Sequence, residues 1–283
     1  MAKLAFLGAG MIAAGMIEAA LKRGEQVTVY NRTHAKAEAL VALGARAVRS
    51  PAEAAEGAER VHIVMSDDAA VDGTLAQCDK GFGGAVVIDH STVLPTGTLA
   101  RAERLAAEGV AFLHAPVFMS PQSCRESSGM MLVAGPTSVY EKVAPELAKM
   151  TGAVKYLGER PHIAAAYKLF GNAMLITIVA GLADVFAMAS SMGLDPKEAL
   201  ALYDMFNPTM VLFHRGKKMA QGDYQAAFEL SMARKDIRLM IETAADKHLA
   251  VLPGIAARMD ELLAKGFGPD DMGILAVESV PKR

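Results

Sequence analysis

Seven short apolar runs punctuate the first 157 residues: Leu4 to Leu7, Val27 to Tyr30, Val61 to Met65, Val86 to Asp89, Val110 to Leu113, Met131 to Ala134 and Val154 to Leu157. Longer stretches rich in Ala, Glu and Lys, with helical period, separate them. The runs are almost continuously apolar rather than alternating, which is the signature of strands covered by helices on both faces. Such alternation leaves few architectures open. It predicts an α/β fold, a Rossmann-type doubly wound sheet. After Gly158 the strand signals stop, and an all-α C-terminal domain is expected. The chain of 283 residues is long enough for two cores, with domains at 1–160 and 161–283.

The first C-terminal helix is expected from His162 to Met192. It is apolar nearly all round, so one face should pack on the sheet domain and another on a neighbouring helix or subunit. Its charge-free stretch, Leu169 to Ala183, is 15 residues long, short of the about 20 that span a bilayer. A buried helix of a soluble protein, with no membrane partner, is therefore expected. Asp195-Pro196-Lys197-Glu198 reads as an N-cap, a proline at the first helical position and the acid of a capping box. Further helices are predicted from Ser231 to His248 and Pro253 to Lys265, with a last one starting near Pro269.

Composition removes several classes of function. Hydrophobic residues make up 52% of the chain and charged residues 21%, which excludes a disordered or low-complexity polymer. Lys and Arg number 29 against 31 Asp and Glu, and no basic stripe forms, so nucleic acid is not an expected partner. Cys78 and Cys124 form no metal or disulfide pattern, which fits a reduced, cytoplasmic setting. Cys124, beside Ser123 in an expected polar loop, reads as an ordinary thiol. The seven histidines make no HxxxH or HExxH pair, so no metal site is expected, and His90 and His114 read as hydrogen-bonded residues at strand ends. No GxSxG elbow marks a serine hydrolase. The charge-free start from Leu4 to Ile17 is interrupted by regularly spaced glycines, and it reads as a strand and turn rather than a signal peptide.

The chemistry begins at Gly8-Ala9-Gly10-Met11-Ile12-Ala13, directly after the first strand and opening a helix that runs to about Arg23. Gly8 permits the tight turn, Gly10 leaves room for a pyrophosphate, and Ala13 lets helix and strand pack closely. The helix N-terminus offers free N–H groups and positive dipole to phosphates, with Met11 and Ile12 in its first turn. The second strand ends in Tyr30-Asn31-Arg32-Thr33, and Asn31 stands 23 positions after Gly8. An NAD site usually carries an acid here. Instead Arg32 can pair with a 2′-phosphate while Asn31 and Thr33 donate hydrogen bonds, which predicts NADP(H) in preference to NAD(H). Met65, at the end of the third predicted strand, is a further cofactor-side candidate.

Four more segments follow in order. Asp89-His90-Ser91-Thr92-Val93 is similar to a D-x-S-T motif and Ala115-Pro116-Val117 to D-A-P-V; Lys168-Leu169-Phe170-Gly171-Asn172 is similar to K-x-x-x-N and Lys235-Asp236-Ile237 to K-D-L. With the glycine fingerprint they make the chain resemble the β-hydroxyacid dehydrogenase family, the group of 3-hydroxyisobutyrate dehydrogenases and short-chain aldehyde reductases. Lys168 carries a bottom-up argument of its own. Asn172 lies one turn later on the same helical face. Hydride reaching a carbonyl carbon leaves negative charge on oxygen, which an ammonium can stabilise and protonate while Asn172 donates a further hydrogen bond. Desolvation would lower the lysine's pKa toward working pH.

Ser91 and Thr92 fall at a strand's C-terminal edge, where open α/β sheets bind ligands, and Thr92 is the cofactor-contact candidate of the pair. The resemblance implies that Lys235 lies near the cofactor and that Asp236 helps close the active site; Phe228 matches a family aromatic and is a substrate-wall candidate, though core packing is the general reading of such a residue. The resemblance also exposes a departure. Where the family has S-G-G or S-G-S as a carboxylate cradle, this chain has Phe118-Met119-Ser120, so a less polar carbonyl, or a carboxylate held by Ser120 or Ser123, is implied. The family's glycines before its lysine are here His162-Ile163-Ala164-Ala165. The expectation is an NADPH-dependent oxidoreductase that moves a hydride to or from a small carbonyl or β-hydroxy acid. Imine reductase-like C=N reduction and a non-catalytic dinucleotide-binding scaffold are the alternatives. A homodimer or homotetramer is expected.

Overall fold

The computed structural model describes residues 2–78 and 81–280, and the chain divides into two compact units, Met1–Asn172 and Ala173–Arg283. Among the described residues the first unit contains nine strands: β1 (Lys3–Leu7), β2 (Gln26–Tyr30), β3 (Arg46–Val48), β4 (Arg60–Ile63), β5 (Val86–Asp89), β6 (Phe112–His114), β7 (Val117–Phe118), β8 (Met130–Val133) and β9 (Ala153–Tyr156). Helices α1 (Met11–Lys22), α2 (His34–Glu38), α3 (Pro51–Ala55), α4 (Asp68–Leu75), α5 (Pro95–Ala107), α6 (Pro121–Arg125) and α7 (Thr137–Leu147) connect them. Six strands form a parallel sheet in the order β3-β2-β1-β4-β5-β6. Apolar clusters cover both faces. Phe6, Ile17, Val29, Ile88 and Leu113 belong to one, and Leu7, Ile63, Val71, Val87 and Leu105 to the other. Alternate side chains of each strand point to opposite faces, so a strand buried on both sides is mostly apolar, and the polar residues it does carry need partners.

The sequence expectation of one sheet needs correction. The last two predicted strands, as β8 and β9, join β7 in a separate three-stranded sheet, antiparallel between β7 and β8 and parallel between β8 and β9. The cause is local. His114 and Ala134 exchange backbone hydrogen bonds of 3.0 and 2.9 Å in an antiparallel bridge, and Pro116, just beyond β6, has no N–H for a parallel ladder. Two strands escaped the sequence pattern. β3 has three residues and starts on an arginine, and β7 has two.

Buried polar residues tie the sheet to its helices. Arg101 of α5, fully buried, donates to Asp72 at 2.9 Å and to Asp68 at 3.0 Å and stands 3.5 Å from Asp89 of β5. His62 stacks between Phe6 and His90, with centroids 4.8 and 5.3 Å away, and its Nδ1 lies 3.0 Å from Nε2 of His90. His90 and His114 also hydrogen-bond to the carbonyls of Ala115 and Ser91, as expected of strand-end histidines. Burial holds the pKa of His90 and of His114 down to about 4 and that of His62 well below its ordinary value.

Helix α8 (His162–Ser191) crosses the division between the units. The second unit continues with α9 (Pro196–Leu200), α10 (Leu202–Met205), α11 (Met210–Gln221), α12 (Leu230–Ala244) and α13 (Leu252–Ala264). Its core joins Leu230, Ala233 and Ile237 to Ala256, Met259, Leu262 and Ile274. Asp195 makes the anticipated capping box with Glu198. Asp184, buried, accepts from the N–H groups of Ala250, Val251 and Leu252 and so caps the start of α13; these bonds outweigh burial and lower its pKa. Three expectations change here. The helix predicted to reach His248 ends at Ala244, where Ala245 adopts φ +54°. α11 was not anticipated. The last helix is a 3₁₀ segment, Met272–Ala276, whose start is capped by Asp271.

Within the single chain α8 is exposed along much of the face expected to pack on a neighbouring helix or subunit. Ile176 and Val179 are 69% and 67% exposed. Counting only between Lys168 and Asp184 understated the helix, which runs through both residues. At 30 residues, with a mean hydropathy of 2.0 over its most apolar window, it is long and apolar enough to cross a bilayer by length and composition.

The buried histidines set a pH dependence. They are neutral in the folded chain and titrate near 6.5 when unfolded, so the unfolded state binds more protons as pH falls. Their stabilising contribution is complete above about pH 6.5 and is lost as pH falls toward about 4. Urea-denaturation midpoints should therefore drop across that window, and a midpoint constant from pH 7 to pH 4 would contradict this assignment.

Candidate active site

Gly8 has φ +116°, and a Cβ there would collide with the Val64 carbonyl oxygen, so glycine alone fits the turn out of β1. Its N–H donates to the Tyr30 carbonyl at 2.8 Å. Gly10 is the N-cap of α1, and a Cβ on it would meet open space. No side chain caps α1 and no acid lies in its first turn, which leaves its N–H groups and dipole available to an anion. Asn31 braces this turn: its Oδ1 accepts from Ala9 N–H at 3.0 Å and its amide donates to the Thr33 carbonyl at 2.8 Å.

A cleft of about 580 Å³ opens here, and Gly10, Met11, Ile12, Asn31, Arg32, Thr33 and Met65 all line it. Seven of the sequence candidates thus share one cavity. Lys36 lines it too and escaped the sequence reading, although it stands four positions after Arg32 at the head of the next helix. Neither Arg32 nor Lys36 forms an ion pair among the described residues. A phosphorylated dinucleotide suits this donor set: an uncapped helix N-terminus for a pyrophosphate and two exposed cations for a further phosphate. Thr92 lies outside the lining, exposed just beyond β5, while its neighbour Ser91 is buried and accepts from Met65 N–H at 2.9 Å.

Lys168 is half-buried near the start of α8. Its Nζ sits 4.1 Å from the centroid of the Phe118 ring, and burial lowers its pKa. Asn172 follows one turn later, and its amide has no hydrogen-bond partner among the described residues. Ser120 is the N-cap of α6: its Oγ accepts from Ser123 N–H at 3.0 Å and pairs with Ser123 Oγ at 2.9 Å. Met119 packs against the main apolar cluster and Phe118 against Leu132, Ala134 and Ala164. Cys124 is not in a polar loop but is buried in α6, where desolvation pushes its thiol up to about 11.

In the second unit, Lys235 and Asp236 pair at 2.6 Å on α12. Phe228 is partly exposed, and its N–H donates to Asp271 at 3.1 Å. Asp271 also accepts from Arg215 at 2.8 Å, from Ala227 N–H at 3.0 Å and from Gly273 N–H at 2.9 Å. These partners outweigh burial and hold its carboxyl far below the ordinary range. No cluster of metal ligands forms among the described residues.

Fold and cleft define a dinucleotide-binding class, and comparison with known proteins makes it specific. Residues 3–158 match the NAD binding domain of 6-phosphogluconate dehydrogenase, and residues 163–276 match the NAD-binding domain of NADP-dependent 3-hydroxyisobutyrate dehydrogenase. Glyoxylate/succinic semialdehyde reductase 2 (chloroplastic) of Arabidopsis thaliana is 31% identical over 97% of this chain and 78% of its own. An imine reductase of Streptomyces aurantiacus superposes with a TM-score of 0.90 at 24% identity, over 99% of this chain and 100% of its own. The imine reductase of Myxococcus stipitatus, solved with NADP+, gives 0.88 at 19% identity over 98% and 99%. The chain belongs to the β-hydroxyacid dehydrogenase family, in its 3-hydroxyisobutyrate dehydrogenase-like branch. It is an oxidoreductase of CH–OH and C=O groups whose cofactor is NADP(H).

Asn31→Ala removes both braces of the fingerprint turn. NADPH affinity, measured by fluorescence titration, should fall roughly tenfold, the effect of about 1.4 kcal/mol; unchanged affinity would show that the turn holds without them.

Proposed function

We propose that this protein is an NADPH-dependent reductase or dehydrogenase of a small carbonyl or β-hydroxy acid, with Lys168 as acid/base and Asn172 assisting. The carrying observation is the pair itself: a half-buried ammonium with no carboxylate partner among the described residues, one helical turn from an unpartnered amide. NADP(H), when bound, supplies or accepts the hydride. Lys168 Nζ then donates a proton to the carbonyl oxygen in reduction and takes it back from the hydroxyl in oxidation. Asn172 donates a hydrogen bond to the same oxygen and holds it in line with the ammonium. Arg32, with Lys36, favours the 2′-phosphate of NADPH over the bare ribose of NADH. Lys235 would serve the cofactor, and Asp236 and Phe228 the substrate.

Ser120 has its hydroxyl engaged in capping α6, and Phe118 covers one side of the ammonium. That arrangement favours an uncharged substrate, which keeps C=N reduction as the second reading. A panel of glyoxylate, succinic semialdehyde, a neutral ketone, a β-hydroxy acid and a cyclic imine separates the two. Lys168→Ala should abolish turnover of the best substrate while NADPH binding stays within about twofold, a few tenths of a kcal/mol. Full activity in that variant would sink the proposal, and tight NADPH binding with no turnover anywhere on the panel would favour a scaffold.

The exposed face of α8, from Phe170 through Val179, is proposed to be covered by a second copy of the chain in a homodimer or homotetramer. A contiguous apolar surface of this kind is costly in water, and α8 offers the same face in each copy. The purified protein should run by light scattering, without detergent, at a multiple of its monomer mass, and a monomeric mass would refute the assembly.

A further inference from the structure

The ring against the lysine is held by more than its own strand. Phe118 ends β7, paired antiparallel with Met130 of β8, and its side chain packs on Leu132, Ala134 and Ala164. From α8 the ring is met by Gly171, where a Cβ would lie 2.7 Å from Cε1 and closer still to Cζ. Gly171 is not at a turn and needs no left-handed conformation; it lies inside a helix, where glycine costs about 1 kcal/mol relative to alanine. The space it leaves is the space the ring tip fills. The helix therefore gives up a side chain at one position to admit the aromatic that reaches Lys168, three residues earlier on a neighbouring face.

We propose that Phe118 is a positioning residue that acts through Lys168, and that Gly171 is the notch that seats it. This rests on the reading of Lys168 as the proton donor. Its ammonium forms no ion pair among the described residues, and the nearby-in-sequence acid Glu159, in the segment leading into α8, bonds to Thr137 instead. Burial lowers its pKa. The negative face of an aromatic ring attracts a cation but has no lone pair with which to take its proton. A carboxylate in the same place would accept hydrogen bonds from the ammonium and compete with the substrate oxygen. The ring thus fixes the nitrogen, offsets part of its desolvation and leaves its N–H donors for the substrate.

The test is the titration of Lys168 in four proteins: the parent, Phe118→Leu, Gly171→Ala and the double variant. The probe is the NMR signal of ¹³C-dimethylated lysine, assigned by its absence in Lys168→Ala, together with the pH profile of reduction of the best substrate on the panel. Loss of the ring removes a stabiliser of the cation, so the lysine pKa falls. Reduction needs the protonated lysine, so the alkaline limb of the profile should move to lower pH by about half a unit, a roughly threefold change in acid constant. Gly171→Ala should reproduce the shift by displacing the ring. It should add nothing in the Phe118→Leu background, since leucine has no Cζ to seat. NADPH affinity measured on each variant confirms that the fold persists. An unmoved pKa and limb in Phe118→Leu, with Lys168→Ala still inactive, would overturn the positioning role and leave the proton donor standing. Turnover retained in Lys168→Ala would overturn the proton donor itself.

Discussion

The candidate cofactor site depends on the passage of the chain from β1 into α1. β1 lies between β2 and β4 in the parallel sheet, and at its end Gly8 donates to Tyr30 on one side while its α-carbon faces the Val64 carbonyl on the other. There is no space for a side chain, and φ is positive. That closeness lets α1 start immediately, so its free N–H groups open at the C-terminal edge of the sheet where ligands of open α/β folds bind. Asn31 extends the same constraint to the end of β2 and brings Arg32 to the cleft. A cavity for a phosphorylated dinucleotide thus follows from backbone crowding at one residue, with the cations added along its rim.

What could be read from the sequence tracks how local the determining physics is. The glycine fingerprint, the capping box at Asp195 and the apolar strands β1, β2, β4 and β5 are set by a few adjacent residues, and all are found in the structure. β3 and β7 are too short to show a period, and the second sheet follows from a missing N–H at Pro116 and a bridge between residues 20 positions apart, which no window reports. Arg101 shows the same limit: a fully buried arginine on an otherwise ordinary surface-patterned helix is explained by Asp68, Asp72 and Asp89, two of them on α4 and one on β5. The site divides likewise. Gly10, Asn31 and Arg32 announce themselves by spacing, whereas Lys36 needs the helix to be placed, and the role of Gly171 needs the ring of a residue 53 positions earlier.

α8 meets two demands that its composition blends together. Its first turns place Ala164 and Ala165 in the buried interior of the first unit, and small side chains there let the helix approach β8 closely enough for Lys168 to meet Phe118. Larger exposed residues begin at Tyr167 and Phe170 and continue through Met174, Leu175, Ile176, Ile178 and Val179. A hydropathy count sees one apolar segment. The structure separates the small buried residues Ala164 and Ala165 from an exposed apolar face that begins at Phe170 and runs through Val179.

The lysine sits where these stretches meet, and its neighbours explain how a cation can be kept inside an apolar helix. Burial alone drives an ammonium toward its neutral form, and a neutral amine has no proton to give to a nascent alkoxide. A carboxylate would restore the charge but occupy the donors. For the proposed role an aromatic face is the intermediate solution: it attracts less than a carboxylate and leaves the N–H donors unblocked, while burial lowers the pKa. The departure at Phe118-Met119-Ser120 is then more than the loss of a polar cradle. Met119 fills the core, Ser120 caps α6 and Phe118 faces the ammonium, so the segment that elsewhere in the family is expected to bind substrate here supports the group proposed to act on it.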